Sequence, residues 1–251
     1  MYKITTRHLS LIAVFSVLYF IFRSIPFIPL LGISGGFIRA SASFAPLSGL
    51  ILGPIPGVLA VIFGTFLSMF SGLSAPVFLY LDFLPGAFNA LTVGLLIKKK
   101  TIRFNLWIER LIAIILFVLT FIVLLSSANF NVPNILWMHV IALAILMSPI
   151  TTKARSFISN TSDTKLYFGI FIFVFIGSLF EHLVGATLTS YIAINNFLPN
   201  ASPSDLARFW NTIAIVYPVE RIIISIISSF IGVALIKTLP SLSIKLNQDT
   251  K

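Results

Sequence analysis

Apolar residues along this chain fall into long runs, and Gly, Pro and charged residues mark where each run stops. Split at those residues, the runs cover 9–31, 36–53, 55–72, 76–97, 108–127, 133–150, 166–194 and 212–237. Each is 18 residues or longer, about the length a helix needs to cross the hydrocarbon of a bilayer. The pattern predicts an all-α polytopic membrane protein, a bundle of about eight transmembrane helices. The second and third runs are short and meet at "GPIPG" (53–57), so they form a tight helical hairpin or a partly re-entrant pair. With the re-entrant pair the count is seven.

Composition sharpens this reading. Hydrophobic residues make up 58% of the 251 and charged ones only 10%, with a mean hydropathy of +1.05. No stretch between the runs is long enough for a soluble domain, so residues 1–251 read as a single transmembrane domain in the cell membrane. Lys3 and Arg7 precede an apolar segment and "ASA" (40–42) follows it, but too far away for a signal-peptide cleavage region, so the segment reads as the first membrane helix.

Charge placement gives the orientation, because Lys and Arg accumulate in short cytoplasmic loops. With eight helices and the N-terminus inside, the cytoplasmic segments hold Lys3, Arg7, Lys98, Lys99, Lys100, Arg103, Arg110, Lys153, Arg155, Lys165, Lys237, Lys245 and Lys251, which is 13 of the 17 basic residues. Both termini are then cytoplasmic. The topology also accounts for the net charge of +10, so nucleic-acid binding is not expected; Lys98 to Arg103 are placed to meet anionic lipid headgroups of the bilayer. The absence of cysteine excludes disulfides, thiolate metal sites and cysteine nucleophiles.

Between helices in lipid, close contact depends on small residues. Gly53, Gly57, Ala60, Gly64, Ser68 and Gly72 form such a stripe along the third helix, and Gly177, Glu181, Gly185 and Thr189 repeat it on the seventh. Each stripe serves either packing within the bundle or docking to another subunit. For the third helix docking gains weight, since its stripe begins in a rigid Gly-Pro loop and runs nearly four turns.

No catalytic or metal-binding motif stands out, and no phosphate-cradling loop, so neither enzyme activity nor a cofactor is expected. What remains is a set of polar groups at membrane depth, where their cost points to function or a specific partner. Arg39 lies near the outer end of the second helix, where it either snorkels to the interface or meets a ligand anion or Asp82. Asp82 and Asn89, in the fourth helix, are structural partners or ligand contacts. Glu181 and His182 sit within "GSLFEHLVGATLTS" (177–190), and Glu220 and Arg221 follow Pro218 in the eighth helix. His139, close to Trp137, reads as an interface residue, and Arg23 beside "SIPFIP" (24–29) as an interface anchor. Glu181 lies on the stripe of the seventh helix and Arg221 on one with Ser225 and Ser229 in the eighth, at similar depths, which predicts that the two form an intramembrane ion pair.

The stretch "ASASFAPLSGLILGPIPGVLAVIFGTFLSMFSGLSAPVFLYLDFLPGAFNALTVGLLIKKK" (40–100) resembles the substrate-specific (S) components of energy-coupling factor (ECF) vitamin transporters. "VYPVERIIISIISSFIGVALIK" (216–237) looks like the last helix of such proteins. The resemblance implies a core over 9–100 and 166–237 that binds a vitamin-like solute near the outer face. It also implies a transmembrane T-component and ATPase subunits as partners, with the first three helices as docking face. Two departures stand out: residues 105–150 read as a two-helix insertion, and the first helix lacks A-x-x-x-A, since Val17 follows Ala13. On this reading Arg39, Asp82, Asn89, His182 and Tyr217 bind the solute, and Gly53, Gly57, Ala60, Gly64 and Ser68 dock the partner. The other reading is a non-catalytic structural subunit of a larger membrane complex, its polar residues holding helices together.

The topology predicts the outcome of labelling in this cysteine-free chain. With single cysteines at Lys99, Asn160 and Ser202, a membrane-impermeant reagent on intact cells should reach only the one at Ser202. Labelling at Lys99 would reverse the assigned orientation.

Overall fold

The computed structural model describes residues 6–29, 37–97, 106–158 and 162–238. The cluster Lys98, Lys99, Lys100 and Arg103, with Lys3, Lys245 and Lys251, lies outside them.

The chain is a helical bundle. In order it forms α1 (Thr6–Ser24), β1 (Pro26–Pro29), β2 (Phe37–Arg39), α2 (Ser41–Leu52), α3 (Pro54–Phe70), α4 (Leu84–Ile97), α5 (Leu106–Leu125), α6 (Trp137–Met147), α7 (Ile150–Ile158), α8 (Asp163–Leu188), α9 (Ile194–Phe197) and α10 (Pro203–Thr238). Each of the eight apolar runs contains one helix of the bundle. α8 is central and touches α4, α5, α6, α7 and α10.

The run at 9–31 is not helical throughout. Pro26 and Pro29 cannot donate helical hydrogen bonds, and the chain turns at Ile25 into a short antiparallel hairpin that pairs Pro26 with Arg39 and Pro29 with Phe37. Arg39 therefore ends a strand, where the apolar pattern places it inside the second helix. Four helical segments, Leu79–Ile97, Trp107–Leu125, Asp163–Phe197 and Pro203–Thr238, are long and apolar enough to cross a membrane. The bent pair Pro133–Met147 and Ile150–Ile158, with 72° between its halves, would make a fifth. The apolar segments His8–Ser24, Ser41–Leu52 and Pro54–Phe70 are shorter: the 12 residues of α2 rise about 18 Å, against about 30 Å of hydrocarbon.

"GPIPG" breaks the chain between α2 and α3 for a local reason. Gly53 has φ +87°, which favours glycine, and its N–H donates to the Gly49 carbonyl to close α2. Pro54 then starts α3, where a missing N–H costs nothing.

The small residues around this break face the chain's own helices. A Cβ on Gly57 would lie 2.8 Å from the Ser48 carbonyl oxygen of α2, and one on Gly64 2.6 Å from the Ser16 carbonyl oxygen of α1. Ala60 and Ser68 are fully buried, and the Ser68 hydroxyl is 2.7 Å from that of Ser74. The expected docking surface at Gly53, Gly57, Ala60, Gly64 and Ser68 is therefore corrected: tight backbone approach uses the stripe internally. The face of α3 left uncovered carries Ile55, Phe63, Leu67 and Phe70.

The tightest approach joins α2 to α4, where a Cβ on Gly49 would overlap the Ala90 carbonyl oxygen; at Gly185, on α8, a Cβ would meet nothing within 4 Å. Gly49→Ala should lower stability by about 1–3 kcal/mol through overpacking. Gly185→Ala should leave it unchanged or raise it by up to about 1 kcal/mol, the helix-propensity gain. Thermal unfolding in detergent checks both, and equal behaviour would show that α2 and α4 are not in backbone contact.

Candidate functional site

Where α1 ends, α2 and α4 begin, and α8 and α10 pass, the helices leave a cavity of about 430 Å³. Tyr19 and Arg23 reach it from α1, Arg39 from β2, Asp82 from the turn before α4, Glu181, His182 and Gly185 from α8, and Trp210, Tyr217, Glu220 and Arg221 from α10. Just beyond them α8 widens into a π-helical turn at Thr189–Ala193, and Thr189 also lines the cavity. Such turns recur at functional sites.

Asp82 and Arg23 form an ion pair. The second Asp82 oxygen accepts the N–H groups of Val77 and Phe78, both at 3.1 Å. Asp82 thus fastens the 77–82 turn to the end of α1, and its hydrogen-bonding capacity is largely spent on the fold. Its partner is Arg23, not Arg39, so Arg23 is no mere interface anchor: its side chain is only 11% exposed.

Asn89 does not reach the cavity. It is fully buried behind Glu181, and its Nδ2 donates to the Glu181 carboxylate at 2.6 Å. Gly177, one turn before Glu181, makes room for it, since a Cβ there would overlap the Asn89 side-chain oxygen. Asn89 therefore positions a lining residue, and its direct contact with a solute is corrected.

Among the described residues the expected ion pair between Glu181 and Arg221 is not formed. Asn89 holds the Glu181 carboxylate toward α4, and the carboxylate within ion-pair reach of Arg221 is its neighbour Glu220, with Nη2 to Oε2 at 3.9 Å. Arg221 and Glu220 are buried side chains, 6% and 8% exposed, and Arg221 Nε has no hydrogen-bond partner. Glu181 and Arg221 meet at one cavity instead of meeting each other.

Beside them three rings pack nearly parallel. His182 and Tyr217 stack with centroids 4.3 Å apart and planes 16° from parallel, and His139 stacks on both. The His139 and His182 rings share a hydrogen bond of 3.0 Å, and the Tyr217 hydroxyl donates to the Ile135 carbonyl at 2.5 Å. His139 is fully buried whereas Trp137 is 51% exposed; two residues apart on a helix they point about 200° apart, so the exposure of Trp137 says nothing about His139.

Arg39, Asp82, His182 and Tyr217 are thus brought together, with Asn89 behind them. Sequence reasoning missed Tyr19, Gly185 and Trp210 as lining residues. Trp210 falls in the segment read as a loop, yet α10 starts at Pro203. The signal was a reciprocal cap: the Ser202 N–H donates to the Asp205 carboxylate at 3.1 Å, and the Asp205 N–H to the Ser202 hydroxyl at 3.3 Å. Among the described residues no three His, Cys, Asp or Glu side chains are grouped so as to hold a metal ion.

No family model, curated protein or solved structure matches this chain. The arrangement is a cavity with aromatic walls and a few convergent polar groups, the usual make-up of a small-molecule site.

The Arg23–Asp82 pair makes a stability prediction. Arg23→Ala and Asp82→Ala should each cost about 3–5 kcal/mol by stranding a buried charge, and the double variant should cost less than the two together. Unfolding midpoints in detergent measure the cycle, and strictly additive losses would show that the pair does not hold the turn.

Proposed function

We propose that the chain is a multi-pass membrane protein, with both termini cytoplasmic, that captures a small solute from the outer face in the cavity at the α1–α2–α4–α8–α10 end. On this reading it is the substrate-binding subunit of an ECF-type transporter. Uptake is driven by ATPase subunits through a transmembrane T-component, and the chain itself does no chemistry. The observation that carries the reading is the pair Glu220 and Arg221: two buried ionisable side chains face a cavity of about 430 Å³, with no hydrogen bond joining them. Structural glue would be satisfied within the chain. A ligand site leaves such capacity open for its guest.

The small stripe of α3 is occupied internally, so a T-component would meet the uncovered side of the first three helices, where Val17 of α1 and Phe63, Leu67 and Phe70 of α3 are exposed. The alternative is a structural subunit of a larger membrane complex, which requires no guest in the cavity.

The two readings part on the purified protein. Native mass spectrometry of gently extracted wild type should show a bound non-lipid small molecule. Gly185→Leu, which fills the cavity from a position with open space around its Cβ, should lose it while keeping the melting temperature. Wild type without any such adduct would overturn the solute-binding reading in favour of the structural one.

A further inference from the structure

Three basic and three acidic side chains line the cavity: Arg23, Arg39 and Arg221 against Asp82, Glu181 and Glu220. Arg23 and Asp82 neutralise each other, and Asp82 is further occupied by two backbone N–H groups. The four remaining formal charges cancel. A guest with net charge would leave the site charged in a medium that penalises charge, whereas a guest without net charge preserves the balance.

The hydrogen-bonding capacity left open is also of both kinds. Arg221 Nη2, 3.9 Å from Glu220, is beyond hydrogen-bond distance of that carboxylate. Arg221 therefore offers donors in a fixed planar fork. Glu220 offers carboxylate oxygens next to it. Glu181, with one oxygen bonded to Asn89, lines the same cavity.

A simple organic anion placed on Arg221 would be repelled by Glu220 at its side, and a simple cation placed on Glu220 would be repelled by Arg221. A guest that presents an acceptor to the guanidinium and N–H donors to the flanking carboxylates satisfies all three groups at once. Aromatic rings that line the cavity and keep accessible surface, those of Phe37, Phe78, His182 and Phe197, favour a flat body.

We propose that the solute is a planar heterocycle without net charge whose polar edge carries N–H beside C=O, as in a cyclic amide or ureide. Its carbonyl docks on Arg221 and its N–H groups on Glu220 and Glu181. The proposal rests on the reading of the cavity as a solute site.

Thermal unfolding of the purified full chain in detergent tests it, with three rigid fragments at equal millimolar concentration: imidazolidin-2-one, benzoate and benzamidinium. The cyclic urea should raise the midpoint by about 2 °C or more, and the two charged fragments should not. Glu181→Gln and Arg221→Gln should each abolish the rise. Should Arg221→Gln fail to fold, the fragment contrast on wild type and on Glu181→Gln decides. A rise with benzoate or benzamidinium that equals or exceeds that of the urea overturns the proposal, as does a urea rise that Glu181→Gln leaves intact. No rise with the urea, from a preparation whose native mass spectrum contains a bound small molecule, overturns the solute class and leaves the solute site standing. No rise and no bound molecule remove both.

Discussion

Glycine lets α4 sink between its neighbours, and the site depends on that depth. Gly49 of α2 lies against the Ala90 backbone, Gly94 of α4 lies against Pro54 at the α2–α3 break, and Gly177 of α8 lies against the Asn89 side chain. At each of these places a methyl group would collide with backbone or with a buried amide. The contact with Gly177 has the longest reach. It brings α8 close enough for Asn89 to hold Glu181, which fixes one of the cavity's carboxylates from behind. Helix packing and site electrostatics are here the same constraint.

That constraint also explains why two opposite charges on facing helices share a cavity without pairing. Asn89 draws the Glu181 carboxylate toward α4, and Arg221 keeps only the looser neighbour Glu220. Buried charges carry a desolvation cost that imperfect pairing does not recover. In the proposed function that cost is offset when a guest supplies the missing hydrogen bonds, which gives the site a reason to bind one.

Much of the fold was legible because its signals are local. All eight apolar runs contain helices, and "GPIPG" announces its break through a residue with positive φ and a proline at a helix start. The site was partly legible for a different reason: an ionisable or aromatic residue among apolar neighbours stands out, and Arg39, Asp82, His182 and Tyr217 do reach one cavity. Partner choice was not legible. Which carboxylate Arg23 meets, which side of Glu181 Asn89 takes, and whether His139 faces inward are fixed by rotation and depth of whole helices, and hydropathy does not encode these. Similar depth does bring Glu181 and Arg221 to one cavity, but depth does not show that Asn89 takes the carboxylate from the other side.

The segment 105–150, which the ECF resemblance leaves unaccounted for, bears on the site more than an appended pair of helices would. Tyr217 is held by the Ile135 carbonyl, Trp210 donates its indole N–H to the Asn129 carbonyl at 2.7 Å, and His182 bonds to His139. Three lining residues on α8 and α10 thus take their orientation from groups in this one segment. α5 packs against α8 along Phe117, whose ring meets Phe180 at 4.9 Å, one residue before Glu181. The opposite side of α5 is apolar and uncovered, at Leu111, Ile115, Leu119 and Ile122. The segment therefore acts as a wall, with one face supporting the rings of the cavity and the other suited to lipid. Removing it would strip the polar partners from Trp210, His182 and Tyr217 at once, leaving buried N–H and O–H groups unsatisfied. A site so built cannot be the shorter bundle with two helices added, because part of its geometry is defined by the helices that the resemblance does not contain.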